Sequence, residues 1–323
     1  MVLYYSPDRG LAFSSVQYLI KEVNNGWLIR LIHFNGASII FIFLYLHFFK
    51  ALFFRRYRLI EVWSLGVVLE ILIIIEAFLG YSLVWGQISF WAATVITSLL
   101  GVFPFFGKDL ICFIWAGFNL NSNTIKFFYL IHFITPFFLL LIVFFHLSYL
   151  HFFGRRDELD FSNKLSKRSF YPFYWVKDLI NLIFVFIFFL FVLSFPFDLG
   201  DPLVSEELNE LVSPIHIVPE WYFLWAYAIL RAIPSKILGV FALLGRLLVN
   251  FFLVSSKIYP RRWNIHRFIV VLLFLNLLIL TWVGSLEPFP PYVNLSLYLS
   301  LSYFFLVFLL IILNYLNYLI YFI

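Results

Sequence analysis

Seven stretches of this 323-residue chain, at 27–54, 62–86, 125–152, 178–197, 236–256, 268–285 and 292–322, are long and almost free of charge. Inside a bilayer no water can satisfy backbone N–H and C=O groups, so such a stretch must satisfy its own as a helix. About 20 apolar residues of helix cross a hydrocarbon core about 30 Å thick. Composition agrees, with 63% hydrophobic and only 12% charged residues and a mean hydropathy of +0.98. No soluble domain carries that balance. The expected fold class is an all-α integral membrane protein with about seven transmembrane helices.

Segments 88–102 and 221–233 are shorter and more amphipathic, and are expected as surface or re-entrant helices. Pro136 falls inside the third stretch and is expected to kink it near His132. Lys50, Arg55, Arg56 and Arg58 follow the first stretch; Arg155, Arg156, Lys164, Lys167, Arg168 and Lys177 follow the third; Lys257, Arg261, Arg262 and Arg267 follow the fifth. With seven spans these loops share one side, and Asp198, Asp201, Glu206, Glu207, Glu210 and Glu220 lie opposite. The positive-inside rule places the basic side in the matrix or cytoplasm and the N-terminus outside. The formal charge of +5 is thus loop charge and does not indicate nucleic-acid binding.

The only cysteine, Cys112, excludes an intramolecular disulfide, a C-x-x-C-H haem attachment and a cysteine-ligated cluster. Met1–Asn25 has no continuous apolar core of the signal-peptide kind. Forty-five Phe beside a single Met suggest an AT-rich gene and organellar synthesis.

His33 and His47 lie 14 residues apart in the first stretch, and His132 and His146 repeat that spacing in the third. Fourteen residues make about four helical turns, about 21 Å, with both rings near one face. Each pair then places one imidazole in each leaflet. A lone intramembrane histidine is as easily a hydrogen-bonded core residue as a ligand. Four at one period point to two haems with bis-imidazole ligation, stacked through the membrane. Gly66 and Gly80 share the 14-residue period in the second stretch. Glycine lets a flat macrocycle approach the backbone, although small residues also serve plain helix packing.

The segments GWLIRLIHFNGAS, GQISFWAATVIT, HFITPF around His132 and SPIHIVPEWYFLWAYAILRAIP closely resemble cytochrome b of the respiratory cytochrome bc complex (complex III), mitochondrial type. The likeness runs from about Ser6 to about Pro290 and includes the P-E-W-Y motif at Pro219–Tyr222. The equal 14-residue spacings match the respiratory type rather than the chloroplast type, which lengthens the second spacing and splits the chain. The resemblance implies a haem-binding helical bundle over 1–175 and a C-terminal, quinol-site helical region over 176–323. It implies two non-covalent b haems: His33 and His132 would ligate the outer, low-potential one, and His47 and His146 the inner, high-potential one. Arg30 matches the arginine that meets an outer haem propionate. Lys50 stands where relatives carry arginine for the inner haem, keeping the charge without the fork; snorkelling at a helix end is the alternative.

By the same resemblance the chain is the redox subunit of quinol:cytochrome c reductase. It would oxidise ubiquinol outside, pass one electron to a Rieske iron–sulfur protein and send the other across both haems to an inner ubiquinone, in a proton-translocating Q-cycle. Glu220, Tyr222, Tyr227, Phe78, Tyr81 and segment 89–98 would form the outer quinol pocket, with Glu220 as proton acceptor; a helix-capping role is its alternative. Ala92 replaces a glycine that gives methoxyacrylate inhibitors room, which implies tolerance to them. His151, Lys177 and Asp178 resemble the inner quinone site, although the usual polar segment after that histidine is here Gly154-Arg155-Arg156-Asp157-Glu158. His216 and His266 are expected in loops without a catalytic part.

Implied partners are the Rieske protein, a cytochrome c1-type subunit, other complex III subunits, a second copy in a homodimer and membrane lipid. The implied location is the mitochondrial inner membrane, or else a bacterial plasma membrane. Met1 aligns near the end of the family's first helix, so a separate source of that helix is expected. Glu70 and Glu76 lie mid-span and flank the glycine face, so pairing or neutralisation is expected. Two other readings of the histidines are a di-haem quinone-reactive anchor of a membrane dehydrogenase and a haem-free proton-relay transporter. The first would lack P-E-W-Y, and the second would show no b-type optical band.

Overall fold

The structure, a computed structural model, describes residues 1–154, 168–253 and 263–322. Among the described residues the chain forms α-helices and short 3-10 or π turns. Helices α1 (Ala12–Lys21), α2 (Gly26–Phe53), α3 (Ile60–Ser82), α4 (Gln87–Ser98), α5 (Gly107–Trp115) and α6 (Ser122–Phe153) build the first part. Helices α7 (Trp175–Ser194), α8 (Leu224–Ala232), α9 (Lys236–Phe252), α10 (Trp263–Ser285) and α11 (Pro290–Phe322) build the second.

Six described helices are long and apolar enough to cross a membrane: α2, α3, α6, α7 with the turn before it, α10 and α11. The expected fifth span, 236–256, appears as α9 with 17 residues. Its rise is about 25 Å, less than a hydrocarbon core, and it carries the buried Arg246. Segments 88–102 and 221–233 are short helices, as expected: α4 with a 3-10 turn at Leu99–Val102, and α8 preceded by the turn Trp221–Phe223. The helices α1 and α5 were not foreseen. The basic residues at 155, 156, 164, 167, 257, 261 and 262 lie outside the described residues.

Helix α6 begins with a reciprocal cap. The Asn121 side chain accepts from the Asn123 N–H at 2.8 Å, and the Thr124 hydroxyl accepts from the Asn121 N–H at 3.0 Å. The helix then continues through Pro136 to Phe153. Helix α3 packs along α6, while α8 is enclosed by α9, α10 and α11, and α2 reaches both α10 and α7. One apolar core joins Phe49, Leu52, Trp63 and Val67 of α2 and α3 to Trp225, Ile229, Leu273 and Val307. A second joins Leu79, Trp85, Phe90, Ala93, Ile125 and Phe128 at the other end of α3 and α6. Polar side chains tie helices together where lipid offers no drive for association. The Trp63 indole N–H donates to the Asn250 carbonyl at 2.8 Å, and the Tyr57 hydroxyl donates to Asn314 Oδ1 at 2.9 Å.

His266 corrects the sequence reading. It sits in α10, fully buried, with Nε2 3.0 Å from the Leu52 carbonyl at the end of α2. The basic residues around it in sequence resemble loop, but α10 begins before it and turns it inward. His216 lies in irregular chain, as expected.

Candidate functional site

The four histidines of the 14-residue repeats meet across α2 and α6. The His33 and His132 ring centroids are 6.1 Å apart, and those of His47 and His146 are 6.4 Å apart. Two trans imidazoles on one metal, each with a metal–nitrogen bond of about 2.0–2.1 Å and a nitrogen about 1.1 Å from the ring centre, have centroids about 6.3 Å apart. Both pairs match that separation. No group of three or more His, Cys, Asp or Glu able to hold a metal occurs among the described residues. Two imidazoles per cavity, with no third protein ligand among the described residues, are a donor set that would fit a haem.

Space exists at both pairs. A cavity of about 340 Å³ is lined by His33, His132, Arg30, Glu76, Gly80 and Tyr129, among others. A second of about 380 Å³ is lined by His47, His146, Lys50, Gly66, Glu70 and Arg56. Arg30 and Lys50 therefore stand one at each cavity, and Arg56 joins the inner one unforeseen. The glycines act on the ligands themselves. A Cβ at Gly80 would fall 2.5 Å from His132 Cε1 and 3.0 Å from Nε2; one at Gly66 would fall 3.4 Å from His146 Cε1. Helix α3 is thus a smooth wall that lets the α6 imidazoles turn toward α2.

The two mid-span glutamates find partners within the chain. A charge at that depth costs at least about 2.5 kcal/mol unless compensated. Glu76 Oε1 lies 2.7 Å from His132 Nδ1, and the Glu76 carbonyl lies 3.1 Å from the same nitrogen. Glu70 is 4% exposed and lies within electrostatic reach of Arg246, itself 3% exposed and stacked over Tyr303 at 4.4 Å and Trp225 at 4.9 Å.

Beyond the outer pair, an apolar cavity of about 250 Å³ lies between α3, α4 and the 217–230 segment. Phe78, Ala92, Val95, Ile96, Pro219 and Tyr227 are among its walls, as expected for a quinol pocket. Glu220, Tyr222 and Tyr81 are not among its lining residues. Phe41 stacks on Tyr222 at 4.3 Å, and the Tyr45 hydroxyl donates to the Tyr222 carbonyl at 2.6 Å. The Trp225 indole N–H donates to the Tyr45 hydroxyl at 2.9 Å. Glu220 precedes the turn at Trp221 and makes no side-chain cap hydrogen bond there.

Glu220 is 7% exposed, and its Oε1 has no hydrogen-bond partner. Burial first, and repulsion from Asp201 second, push its carboxyl up to about 7; Tyr81 and Arg30 oppose this in part. The Tyr81 hydroxyl is buried beside Glu220 and interacts with its carboxyl. Sequence reasoning did not find Asp201 as a neighbour of Glu220. Gln87 helps to hold that acidic loop: its Oε1 accepts from the Asn209 N–H at 2.7 Å, while its backbone N–H donates to the Glu206 carbonyl at 3.0 Å.

The inner quinone residues are less assembled. His151 is exposed near the end of α6, Asp178 sits in the first turn of α7, and Lys177 lies over the Tyr174 ring at 5.8 Å. No hydrogen bond joins His151 to Lys177 or Asp178, and the divergent segment 155–158 lies outside the described residues.

Comparison with known proteins places the chain in a family. Residues 1–154 match the family model Cytochrome b/b6/petB, and residues 207–304 match Cytochrome b(C-terminal)/b6/petD. The chain is 46% identical over 309 residues to a cytochrome b of Caenorhabditis briggsae, covering 95% of this chain and 84% of that one. It is 38% identical over 310 residues to a cytochrome b of Apis mellifera ligustica, covering 95% and 81%. Among solved structures, a chain of a hyperthermophilic respiratory complex III superposes with a TM-score of 0.88 at 29% identity, covering 98% of this chain and 86% of that chain.

Proposed function

This chain belongs to the cytochrome b family, and we propose that it is the di-haem subunit of a quinol:cytochrome c reductase, a membrane complex of the respiratory complex III type. The observation that carries the proposal is the pair of histidine couples, each at the separation of two imidazoles on one iron, with a buried carboxyl at the outer end. His33 with His132, and His47 with His146, would hold the two b haems, and Arg30 and Lys50, one at each cavity, would supply positive charge for their propionates. Bound haem supplies a reversible one-electron couple on each side of the membrane.

The chain's own residues supply the rest. The apolar cavity walled by Phe78, Ala92 and Tyr227 excludes water from a quinol ring. Glu220, with a carboxyl near 7, accepts a quinol proton at working pH and returns it to the outer aqueous phase. Tyr222 is held rigidly by Phe41 and Tyr45, so it shapes the position of Glu220. His151, Lys177 and Asp178 are the residues proposed for the inner quinone-reducing site. Division at about residue 175 separates the haem-binding part from the quinol-site part. The broadly exposed apolar faces of α6 and α7 support burial against other subunits, lipid or a second copy. A Rieske protein and a cytochrome c1-type subunit complete the electron path, and the mitochondrial inner membrane is the proposed location.

A reduced-minus-oxidised optical spectrum of the purified complex tests this reading. Two b-type α bands, with quinol-dependent reduction of cytochrome c, are expected. A spectrum without any b-type band would refute it and return the haem-free transporter.

A further inference from the structure

We propose that Glu76 is a positioning residue for the outer haem. It fixes the tautomer of His132 and, through that imidazole, lowers the haem's midpoint potential. The inference rests on the reading of His132 as an outer haem ligand. Its starting point is the contact of His132 Nδ1 with both the Glu76 carbonyl at 3.1 Å and Glu76 Oε1 at 2.7 Å. A backbone carbonyl only accepts, so Nδ1 carries the proton. Nε2 is then the lone-pair nitrogen left to bind iron, and Gly80 leaves room for the ring at its Cε1 edge.

The carboxylate has no other engagement. Its Oε2 is buried and lacks a hydrogen-bond partner, so the side chain is committed to His132. A ring N–H shared with a carboxylate gives the imidazole a more basic, imidazolate-like Nε2. A more basic ligand with a nearby negative charge stabilises ferric over ferrous iron and lowers the potential. The inner pair supplies an internal control. His146 Nδ1 is buried without a hydrogen-bond partner, and no carboxylate contacts it. Glu70 lines the inner cavity within electrostatic reach of Arg246, so among the described residues only the outer couple carries a carboxylate on a ligand ring, in the sense that drives electrons inward, from the lower to the higher potential.

The test is optical redox titration of the intact complex carrying Glu76→Gln, with haem content measured in the same sample. The variant keeps an acceptor oxygen of similar reach and loses the charge. The ferric-over-ferrous preference of the outer haem is expected to fall about tenfold or more, a rise of about 59 mV for a one-electron couple. The inner haem is expected to stay put, and Glu76→Asp to restore part of the difference. A smaller rise, a fall, or an equal shift of both haems would overturn the inference while leaving the haem reading intact. Absence of b-type bands from the native complex would instead sink the reading on which it rests. If the variant fails to assemble, infrared redox difference spectra of the native complex decide. A carboxylate band that moves at the outer-haem potential is expected, and no such band would overturn the proposal.

Discussion

Replacing Glu220 by Gln gives the sharpest test of the outer site. Burial and Asp201 hold the Glu220 carboxyl at about 7 instead of 4.5. A base with that value is ionised in about one molecule in eleven at pH 6 and about ten in eleven at pH 8. If it receives the quinol proton, turnover by the native complex therefore gains about tenfold from this group across those two units. Glu220→Gln keeps the volume and removes the base, so that pH-dependent gain should vanish and the rate at pH 8 should fall at least tenfold. The stability sign runs the opposite way. A carboxyl raised on folding costs nothing below about pH 4.5, where both folded and unfolded states are protonated. The cost grows as pH rises toward 7 and is complete above it, at about 3 kcal/mol. The variant should thus be at least as stable as the native complex at pH 8 and equal to it near pH 4. Quinol:cytochrome c turnover from pH 5.5 to 8.5, with thermal melts on the same samples, measures both. An unchanged pH profile in the variant would refute the assignment.

Gly80→Ala should abolish binding of the outer haem, because its Cβ lands 2.5 Å from His132, whereas Gly66→Ala, at 3.4 Å from His146, should keep the inner haem; pyridine haemochrome content separates one haem from two. The native complex should tolerate methoxyacrylate inhibitors, and Ala92→Gly, which removes a methyl from the cavity wall, should lower the inhibitory concentration about tenfold or more. Tyr45→Phe removes a donor to Tyr222 and an acceptor for Trp225, and should cost about 1–3 kcal/mol in denaturation melts while leaving both haem spectra in place.

The membrane class, six of the seven expected spans and the shared helix face of each 14-residue histidine repeat were legible because each depends on local periodicity. Apolar length dictates a helix in lipid, and a 14-residue spacing dictates a shared face whatever the neighbours are. The glycine period was legible for the same reason, although only packing separated ligand approach from ordinary helix contact. Helix α9 is shorter than the expected span over the described residues and carries Arg246, whose cost is met by Trp225 and Tyr303 from other helices. His266 was misplaced because flanking arginines mimic a loop, and its partner, the Leu52 carbonyl, is 214 residues away.

The chain by itself determined that this is a helical membrane protein with two imidazole pairs and a carboxyl in an aromatic motif, since residue type and spacing suffice for that. The tertiary structure decided what those groups do to one another. Only folding brings Asp201 and Tyr81 to Glu220, sets each histidine couple near 6 Å and turns the Glu76 carboxylate onto His132 rather than toward lipid. The physical reason is range. Backbone hydrogen bonding and hydropathy act within a few residues of sequence, whereas desolvation, charge pairing and ligand geometry depend on distances in space that no spacing along the chain encodes.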